Sequence, residues 1–250
     1  PRSSLFNAWR NKEDEAILKA VNDYTRATRT GDEPVGMSIW DLRSFLAAIS
    51  NQLKGGGHES AEYYDCATLR FSNLPNIHEV MNNFTNLRNA FTPPIPQSGF
   101  FTTLDGTKWL DNIALMLGCA NVIADRLTVK GENVLVHCSD GWDRTTQIVT
   151  LVKILCDPYY RTIEGMEQLI RIDWIGFGHK FADRNAVYST MSNERSPVFL
   201  QWLDAVYQIY SHNQTSFGFT IAYLVKLAQH AHSSLFTSFA FNTVKDMEEA

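Results

Sequence analysis

Apolar residues recur at intervals of three and four over five stretches of the chain, and this spacing predicts amphipathic helices. The five stretches are residues 12–26, 45–53, 78–91, 107–127 and 145–156. The last of them is followed by Asp157 and Pro158, and a proline disfavours helical backbone at the residue before it. The C-terminal part is also predicted to be mostly helical, with Ser196 and Pro197 as the N-cap and first residue of a further helix.

Three short segments have the character of β-strands. The segments MSIW and CATLRF precede a helix, and CATLRF alternates between apolar and polar residues. The segment NVLVH does not alternate, which predicts a strand buried on both faces. A triple glycine at residues 55–57 and the proline-rich segment TPPIPQSG are predicted to form a turn and a loop. Helices that flank a few strands and continue past them indicate one α/β domain over residues 1–250, with helix-rich additions at its C-terminal end.

The composition is that of an ordinary globular protein. Of 250 residues, 44% are hydrophobic and 20% are charged, and a chain of this length can bury a substantial core. The net charge of -5 gives no support to nucleic-acid binding, which requires a basic surface. The longest apolar stretch, residues 113–124, is too short to span a bilayer. The first residue is Pro1 and no signal-like segment follows it, so we expect an excised part of a longer protein.

The four cysteines are scattered along the chain without any CxxC pair. They are Cys66, Cys119, Cys138 and Cys156. This spacing indicates neither a zinc site nor a disulfide framework, and it favours a reducing cytosol.

The segment VLVHCSDGWDRTTQ, residues 134–147, places a predicted strand, a short loop and a predicted helix in succession. Backbone amides in such a loop lie at the positive end of the helix dipole, and Gly141 allows them to converge on one anion. Arg144 adds a planar charge that suits two phosphate oxygens at once. Cys138 lies at the base of the loop, where the same donors would stabilise its thiolate.

This arrangement suits nucleophilic attack of Cys138 on phosphorus and a phosphocysteine that water then hydrolyses. The leaving alcohol needs a proton, which an aspartate of the loop could supply. The spacing alone does not decide between Asp140 and Asp143. A Cys-x5-Arg pair also occurs by chance, and a free cysteine after a buried strand is usually a small core residue. The ordered succession of strand, glycine, arginine and helix favours phosphate binding.

The loop sequence HCSDGWDRT resembles the signature of the myotubularins, which are cysteine-dependent phosphatases of 3-phosphoinositides. The segments WDLRSFLAAISNQLKGGGHES, PNIHEV, YYRTIEGMEQLI, DWIGFGHKFADR and RSPVFLQWLDAVYQI resemble further family segments in the same order. The resemblance implies a cysteine-phosphatase (PTP-like) fold with a central mixed sheet flanked by helices. It implies no metal and no cofactor. Full-length members commonly carry an upstream PH-GRAM domain, which we do not expect in this chain.

The resemblance also implies roles for individual residues. Cys138 would be the nucleophile, Arg144 would hold the phosphate, and Asp143 would be the favoured general acid. The 3-phosphate site would be lined by the loop residues Ser139, Asp140, Gly141, Trp142, Asp143 and Arg144. The inositol head group would contact Asn51, Asn76 and Ile77. Lys180 and Arg184 would bind a second phosphate, either the diester or a 5-phosphate.

The supporting residues have structural alternatives. Trp142 could only anchor the loop, and Asn51 could only be the end of a helix. Lys180 and Arg184 could form a solvated helix face. His137 and His179 could be buried histidines or could orient the loop.

Two segments depart from the family pattern. NAVYSTMSNERSP stands where a glycine-histidine-glycine stretch is usual, and WDLRS stands where Asp-Ala-Arg-Pro is common. Both could alter the preference among head groups.

The resemblance therefore predicts hydrolysis of the 3-phosphate of phosphatidylinositol 3-phosphate and phosphatidylinositol 3,5-bisphosphate. Its partners would be the lipid head group and a peripheral membrane surface, without nucleic acid. The protein would be cytoplasmic, peripheral on endosomal membranes, with homo- or heterodimers of family members possible. The alternatives are a catalytically weak lipid-binding adaptor that heterodimerises with active members, and a protein phosphotyrosine phosphatase.

Overall fold

The computed structural model describes residues 11–29, 36–52, 57–59, 62–64, 66–92, 98–187 and 193–250. Most of the predicted glycine turn at 55–57 and the centre of the segment TPPIPQSG lie outside these residues.

The predicted helices and strands are confirmed, with ends shifted by a few residues. The helices are α1 Lys12–Thr28, α2 Phe45–Gln52, α3 Ile77–Ala90, α4 Phe100–Gly106, α5 Trp109–Thr128, α6 Arg144–Cys156, α7 Ile163–Leu169, α8 Phe181–Asn185, α9 Val198–His212, α10 Ile221–Ala231 and α11 Val244–Glu248. Short 3₁₀ helices span Pro158–Arg161, Gln214–Ser216 and Thr237–Phe239, and a π-helix spans Ile170–Gly176. The strands are β1 Met37–Asp41, β2 Thr68–Phe71 and β3 Asn133–His137.

The three strands form one parallel sheet in the order β2-β1-β3. Ile39 of β1 faces Leu69 of β2 and Leu135 of β3. The expectation of a mixed sheet is wrong for the described strands, because the connections between them contain helices that return the chain in the same direction.

Strand β1 occupies the centre of this sheet, and its five residues are all buried. Strand β3 is half-buried along its length. The prediction that NVLVH is buried on both faces is therefore wrong, because in the described sheet β3 has a neighbouring strand on one side only. Its apolar side chains are consistent with an outer strand that is still partly covered by helices such as α1.

The chain divides into two compact units, whereas the sequence predicts one domain over residues 1–250. The first unit comprises residues 1–73 and 122–139, and it holds the sheet with α1 and α2. The second comprises residues 74–121 and 140–250, and its described elements are helices. The loop after β3 passes from the first unit into the second at residues 139–140.

An aromatic cluster forms the core of the second unit. The rings of Trp174 and Trp202 are fully buried and lie 5.1 Å apart. Phe199 contacts both at 4.9 and 5.3 Å, and Phe181 lies 5.2 Å from Phe199. The contacts of Phe199 with Trp174 and Phe181 are edge-to-face, a geometry that fixes ring orientations as well as burying apolar area. The cluster therefore provides a rigid support for the residues next to Phe181.

The start of α9 differs from the sequence prediction. The helix begins at Val198, Pro197 occupies the N-cap position, and no side chain caps the helix. The Ser196 hydroxyl instead donates a 2.7 Å hydrogen bond to the carbonyl of Ile77. This hydrogen bond to a half-buried residue takes the Ser196 hydroxyl away from the local amides that an N-cap would satisfy.

Gly165 of α7 provides a test of the packing in the second unit. A Cβ atom at this position would overlap the backbone carbonyl of Tyr159. That carbonyl is held by hydrogen bonds from the amide and hydroxyl of Thr162, at 3.0 and 2.8 Å. Gly165→Ala is therefore expected to lower the free energy of unfolding by about 1–3 kcal/mol, measured by urea denaturation.

Gly118 of α5 provides the matched control, since a Cβ atom there has no neighbour within 4 Å. Gly118→Ala should raise the unfolding free energy by up to about 1 kcal/mol through helix propensity. Equal effects of the two substitutions would contradict this account.

Candidate active site

The first unit contributes Cys138 and Ser139, which directly follow β3. Cys138 is 8% exposed, and Ser139 is exposed. The Ser139 hydroxyl accepts a 3.5 Å hydrogen bond from the amide nitrogen of Asn51, in the last turn of α2. The structure thus brings together two residues that the resemblance assigns to the site, Asn51 and Ser139.

A buried ion pair lies at the end of β1, the strand next to β3. The Asp41 carboxylate accepts from Nε and Nη2 of Arg43 at 2.9 and 2.7 Å, and Arg43 also donates to the Gly57 carbonyl at 2.7 Å. Asp41 and Arg43 are 0% and 4% exposed. The hydrogen bond that Arg43 donates to Asp41 raises the pKa of Arg43 against the opposing effect of burial, and the charge of a Cys138 thiolate contributes in the same direction. Arg43 is thus a permanent positive charge within electrostatic reach of the Cys138 sulfur.

His137 precedes Cys138 and pairs with Glu59. Its Nε2 lies 3.1 Å from Oε2 of Glu59, and its Nδ1 lies 3.2 Å from the carbonyl of Cys138. Burial lowers the pKa of His137, but the neighbouring Glu59 carboxylate outweighs burial and raises it overall. Burial likewise raises the pKa of Glu59, and His137 outweighs this effect and lowers it. The pair holds the backbone at the predicted nucleophile.

The second unit contributes the loop from Asp140 to Asp143 and the helix α6, which begins at Arg144. Gly141 has a φ of +91°, a conformation that favours glycine and explains its place in the loop. Asp140 is exposed, whereas Asp143 is 8% exposed. Asp143 is the N-cap residue of α6, yet its side chain makes no capping hydrogen bond.

The Asp143 carboxylate faces Arg184 of α8 instead. Nε of Arg184 donates to Oδ1 at 3.2 Å, and Nη2 donates to Oδ2 at 2.8 Å. Nδ1 of His179 lies 3.0 Å from Oδ1. Burial raises the pKa of Asp143, but His179 and Arg184 outweigh burial and hold this pKa far below the ordinary value of a carboxyl group. In this state Asp143 is an ionised carboxylate.

Arg184 is only 4% exposed, so the alternative of a solvated helix face is wrong for it. Its Nη1 donates to the carbonyl and to Oε2 of Glu194, both at 3.0 Å. Its own carbonyl accepts from the amide of Ser196 at 3.1 Å, and Ser196 in turn bonds to Ile77. These contacts connect three residues predicted for the site: Asp143, Arg184 and Ile77.

His179 is held in one orientation. Its Nδ1 faces two acceptors, the carbonyl of Trp142 at 2.9 Å and Oδ1 of Asp143 at 3.0 Å, so this nitrogen carries a proton. The imidazole ring packs edge-on against Trp174 and Phe181, with centroids 4.7 and 4.6 Å apart. His179 is a buried histidine, 1% exposed, and its contacts with Trp142 and Asp143 also orient the loop.

Lys180 and Trp142 lie together at the start of α8. Nζ of Lys180 is 4.9 Å from the centroid of the Trp142 ring, within the range of a cation–π contact. Lys180 is the N-cap residue of α8, and Arg184 lies within the helix. Trp142 is half-buried, and both anchoring and ligand contact remain open to it.

The remaining predicted residues of the second unit lie near the start of α3. Nη1 of Arg144 donates a long hydrogen bond, 3.4 Å, to the carbonyl of Leu74. Asn76 is exposed and is the N-cap of α3, with Oδ1 accepting from the amides of His78 and Glu79 at 3.0 Å each. Ile77 is the first residue of that helix. Contacts of Asn76 and Ile77 with a head group stay predictions.

Sequence reasoning missed four charged residues of these clusters: Asp41, Arg43, Glu59 and Glu194. Arg43 follows Asp41 by two positions directly after a buried strand, and a charged pair at such a place is a usable signal. Glu59 and Glu194 carry no comparable local signal, because their partners are distant in sequence.

The arrangement contains the parts needed for phosphate binding: a loop that ends a parallel strand, a glycine with positive φ, and a helix N-terminus with an arginine. Within the described residues, no cluster of three or more His, Cys, Asp or Glu side chains could hold a metal ion. None of the described helices is long and apolar enough to cross a membrane.

Comparison with known proteins identifies the family of phosphatases to which the chain belongs. The family described as "Myotubularin-like phosphatase domain" matches residues 1–248, and the chain belongs to this family. The resemblance inferred from HCSDGWDRT is thereby confirmed.

Individual relatives are similar over most of this chain. Phosphatidylinositol-3,5-bisphosphate 3-phosphatase MTMR3 of Caenorhabditis elegans is 48% identical over 97% of the chain and 24% of its own length. Phosphatidylinositol-3,5-bisphosphate 3-phosphatase MTMR4 of Mus musculus is 45% identical over 86% of the chain and 18% of its own length. Myotubularin of Xenopus tropicalis is 36% identical over 96% of the chain and 40% of its own length. The chain thus spans less than half the length of these relatives.

The His137–Glu59 pair predicts a pH-dependent stability. Above the ordinary carboxyl pKa of 4.5, Glu59 is ionised in both the folded and the unfolded chain, and below the ordinary imidazole pKa of 6.5, His137 is protonated in both. The stabilisation is therefore complete between these values, and it is lost as the pH rises through the raised pKa of His137. Glu59→Gln should cost about 1–2 kcal/mol at pH 5.5 and less at pH 9, measured by urea denaturation.

Glu248→Gln, at an exposed residue of α11, is the matched control and should change the stability little at either pH. An effect of Glu59→Gln that is independent of pH would show that the ion pair does not stabilise the fold.

Proposed function

We propose that this chain is a phosphoinositide 3-phosphatase that hydrolyses the 3-phosphate of phosphatidylinositol 3-phosphate and phosphatidylinositol 3,5-bisphosphate. The observation that carries the proposal is the complete loop HCSDGWDRT in a member of the myotubularin-like phosphatase family. The names of the MTMR3 and MTMR4 relatives, which specify phosphatidylinositol 3,5-bisphosphate and a 3-phosphatase activity, support the same substrate class.

In the proposed reaction, the Cys138 thiolate attacks the phosphorus of the 3-phosphate, and the bond from phosphorus to the inositol oxygen breaks. Asp143 gives a proton to the leaving inositol oxygen. Water then attacks the phosphocysteine while Asp143 takes up a proton, which releases phosphate and restores the thiolate. Arg144, six positions after the nucleophile in the same loop, would bind two non-bridging oxygens in both steps.

The loop residues Ser139, Asp140, Gly141 and Trp142 would line the 3-phosphate site under this proposal. Lys180 and Arg184 would bind a second phosphate, and Asn51, Asn76 and Ile77 would contact the inositol ring. The hydrogen bond between Asn51 and Ser139 and the chain of contacts from Arg184 through Ser196 to Ile77 support this grouping.

We extend the proposal to a PTP-like fold, supported by the parallel strand that leads into the cysteine loop and by α6 after it. We also propose a cytoplasmic protein that acts at the surface of endosomal membranes, since the proposed substrate is a membrane lipid. Homo- or heterodimers with family members belong to the same proposal.

Cys138→Ser tests the nucleophile. Because a serine hydroxyl ionises far less readily than a thiol, phosphate release should fall by about a thousandfold or more while head-group binding is retained. Release from short-chain phosphatidylinositol 3,5-bisphosphate and binding by calorimetry are the two measurements. Cys156→Ser, at an exposed cysteine, is the control and should keep full activity. Comparable phosphate release from the Cys138→Ser chain would refute the mechanism, and would equally exclude a phosphocysteine intermediate at this residue.

A comparison of substrates tests the substrate class. Lys180 and Arg184 would add affinity for a second phosphate, which a phosphotyrosine peptide lacks. We expect kcat/KM to be at least about a hundredfold higher for short-chain phosphatidylinositol 3,5-bisphosphate, as for the loss of one buried charge-assisted contact. A higher value for the peptide would favour the phosphotyrosine alternative, and no release from either substrate would favour the adaptor alternative.

A further inference from the structure

The proposed general acid carries no proton in the structure described here. Oδ1 of Asp143 faces two donors, Nδ1 of His179 at 3.0 Å and Nε of Arg184 at 3.2 Å. Oδ2 faces Nη2 of Arg184 at 2.8 Å. A carboxyl group whose oxygens both accept from a guanidinium is stabilised as the anion. The chain therefore needs a way to separate Arg184 from Asp143 before Asp143 can donate a proton.

We propose that the second phosphate of the substrate performs this separation, because it draws Arg184 away from Asp143 and leaves Oδ2 of Asp143 able to carry the catalytic proton. This inference rests on the proposed function and adds a regulation of the same site. Arg184 is then more than a binding residue: its release couples recognition of the head group to the protonation of the general acid.

The contacts of Asp143 with His179 and with Arg184 differ, and this difference determines which carboxylate oxygen carries the proton. His179 stays in place because its Nδ1 is shared with the Trp142 carbonyl at 2.9 Å and its ring is packed against Trp174 and Phe181. Oδ1 therefore keeps a donor when Arg184 leaves. Oδ2 loses its Arg184 contact, so it is the oxygen that binds a proton and then presents it to the leaving group.

The other surroundings of Arg184 favour a phosphate as the competing partner. The Arg184 guanidinium already forms ion pairs with both Asp143 and Glu194. The Glu194 side chain is 52% exposed, and solvent weakens its ion pair with Arg184. A phosphate monoester carries about -1.5 to -2 charges and offers three acceptor oxygens. It can therefore replace one carboxylate at a guanidinium, which suits bidentate phosphate binding.

The charged groups that bear on Asp143 are His179 on one side and Arg184 on the other, with Glu194 behind Arg184. The Lys180 amino group lies over the Trp142 ring instead. When Arg184 leaves, burial favours the neutral form of Asp143, because only the single His179 contact then offsets the cost of a buried charge. The proton comes from solvent, passes to the inositol oxygen as the P–O bond breaks, and leaves Asp143 as the base for the water attack.

A substrate without a second phosphate leaves the Asp143–Arg184 pair intact and should therefore react slowly at the chemical step. Inositol 3-phosphate and inositol 1,3,5-trisphosphate form a suitable pair of probes, because both lose the same 3-phosphate and only the trisphosphate can reach Arg184. The wild-type chain should show a higher kcat for the trisphosphate, and not merely a lower KM.

Arg184→Ala gives the decisive comparison. Without Arg184 the Asp143 carboxyl can be protonated with any substrate, so kcat for inositol 3-phosphate should rise by about tenfold, the change that one pKa unit gives in a minor protonated fraction. The same variant loses phosphate binding, so kcat/KM for the trisphosphate should fall. If Arg184 acted only in binding or only in structure, kcat of the variant for inositol 3-phosphate would not rise. A fall or no change in this kcat would therefore overturn the proposal.

Two further variants are matched controls. Lys180→Ala removes a positive charge that does not touch Asp143, so kcat/KM for the trisphosphate should fall and kcat for inositol 3-phosphate should not rise. Lys245→Ala, in an exposed pair with Glu249, should leave both rates unchanged. A rise for inositol 3-phosphate in the Lys180→Ala chain would overturn the assignment to Arg184.

A direct measurement keeps the proposal testable if Arg184→Ala does not fold. In the Cys138→Ser chain, ¹³C NMR of labelled aspartate should show the Asp143 carboxyl titrating at higher pH when inositol 1,3,5-trisphosphate is bound than when it is absent. An unchanged titration would overturn the coupling. The wild-type chain assayed in parallel separates the two proposals, since no phosphate release from the trisphosphate refutes the proposed function, whereas release with an unchanged titration refutes only the coupling.

Discussion

The buried ion pair between Asp143 and Arg184 is the interaction on which the second unit depends. The side chains are 11% and 4% exposed and share two hydrogen bonds of 3.2 and 2.8 Å. The removal of one partner from such a pair strands a buried charge and typically costs about 3–5 kcal/mol. The pair also affects the N-terminus of α6, where a ligand could bind. Because the Asp143 side chain turns to Arg184 and makes no capping hydrogen bond, it leaves the helix N-terminus available to an external anion.

The first unit shows the same use of paired charge around Cys138. Arg43 brings a positive charge into reach of the sulfur, and its guanidinium donates three hydrogen bonds to the Asp41 carboxylate, which offset the cost of burying that charge. His137 and Glu59 form a second pair on the residue before the cysteine. The positive charge of Arg43 is paired with Asp41, so it is not an isolated buried charge. The WDLRS segment, which departs from the common family pattern, still supplies this arginine.

Local sequence patterns predict most of the helices and strands of this chain. Contacts between side chains that are far apart in the sequence cannot be predicted from such patterns. The helical spacing predicts α1, α3, α5 and α6 to within a few residues of their ends, and the loop residues from Cys138 to Arg144 stand out because they are contiguous. The partner of Asp143 is 41 positions away, and no periodicity connects the two. The same reason explains the wrong N-cap at Ser196, whose hydroxyl bonds to a residue 119 positions away. The predicted burial of β3 is wrong for a related reason, since strand order within a sheet is a long-range property.

The segment after Arg184 connects these observations with substrate preference. It departs from the usual family pattern, and its residue Glu194 contacts Arg184 through both its carbonyl and its side chain. Any phosphate that recruits Arg184 must therefore compete with Glu194 as well as with Asp143. The stronger the hold of Glu194, the more negative charge a head group needs in order to displace the guanidinium. Under the proposed function, this segment would set the preference between mono- and bisphosphorylated head groups without any change in Cys138, Asp143 or Arg144.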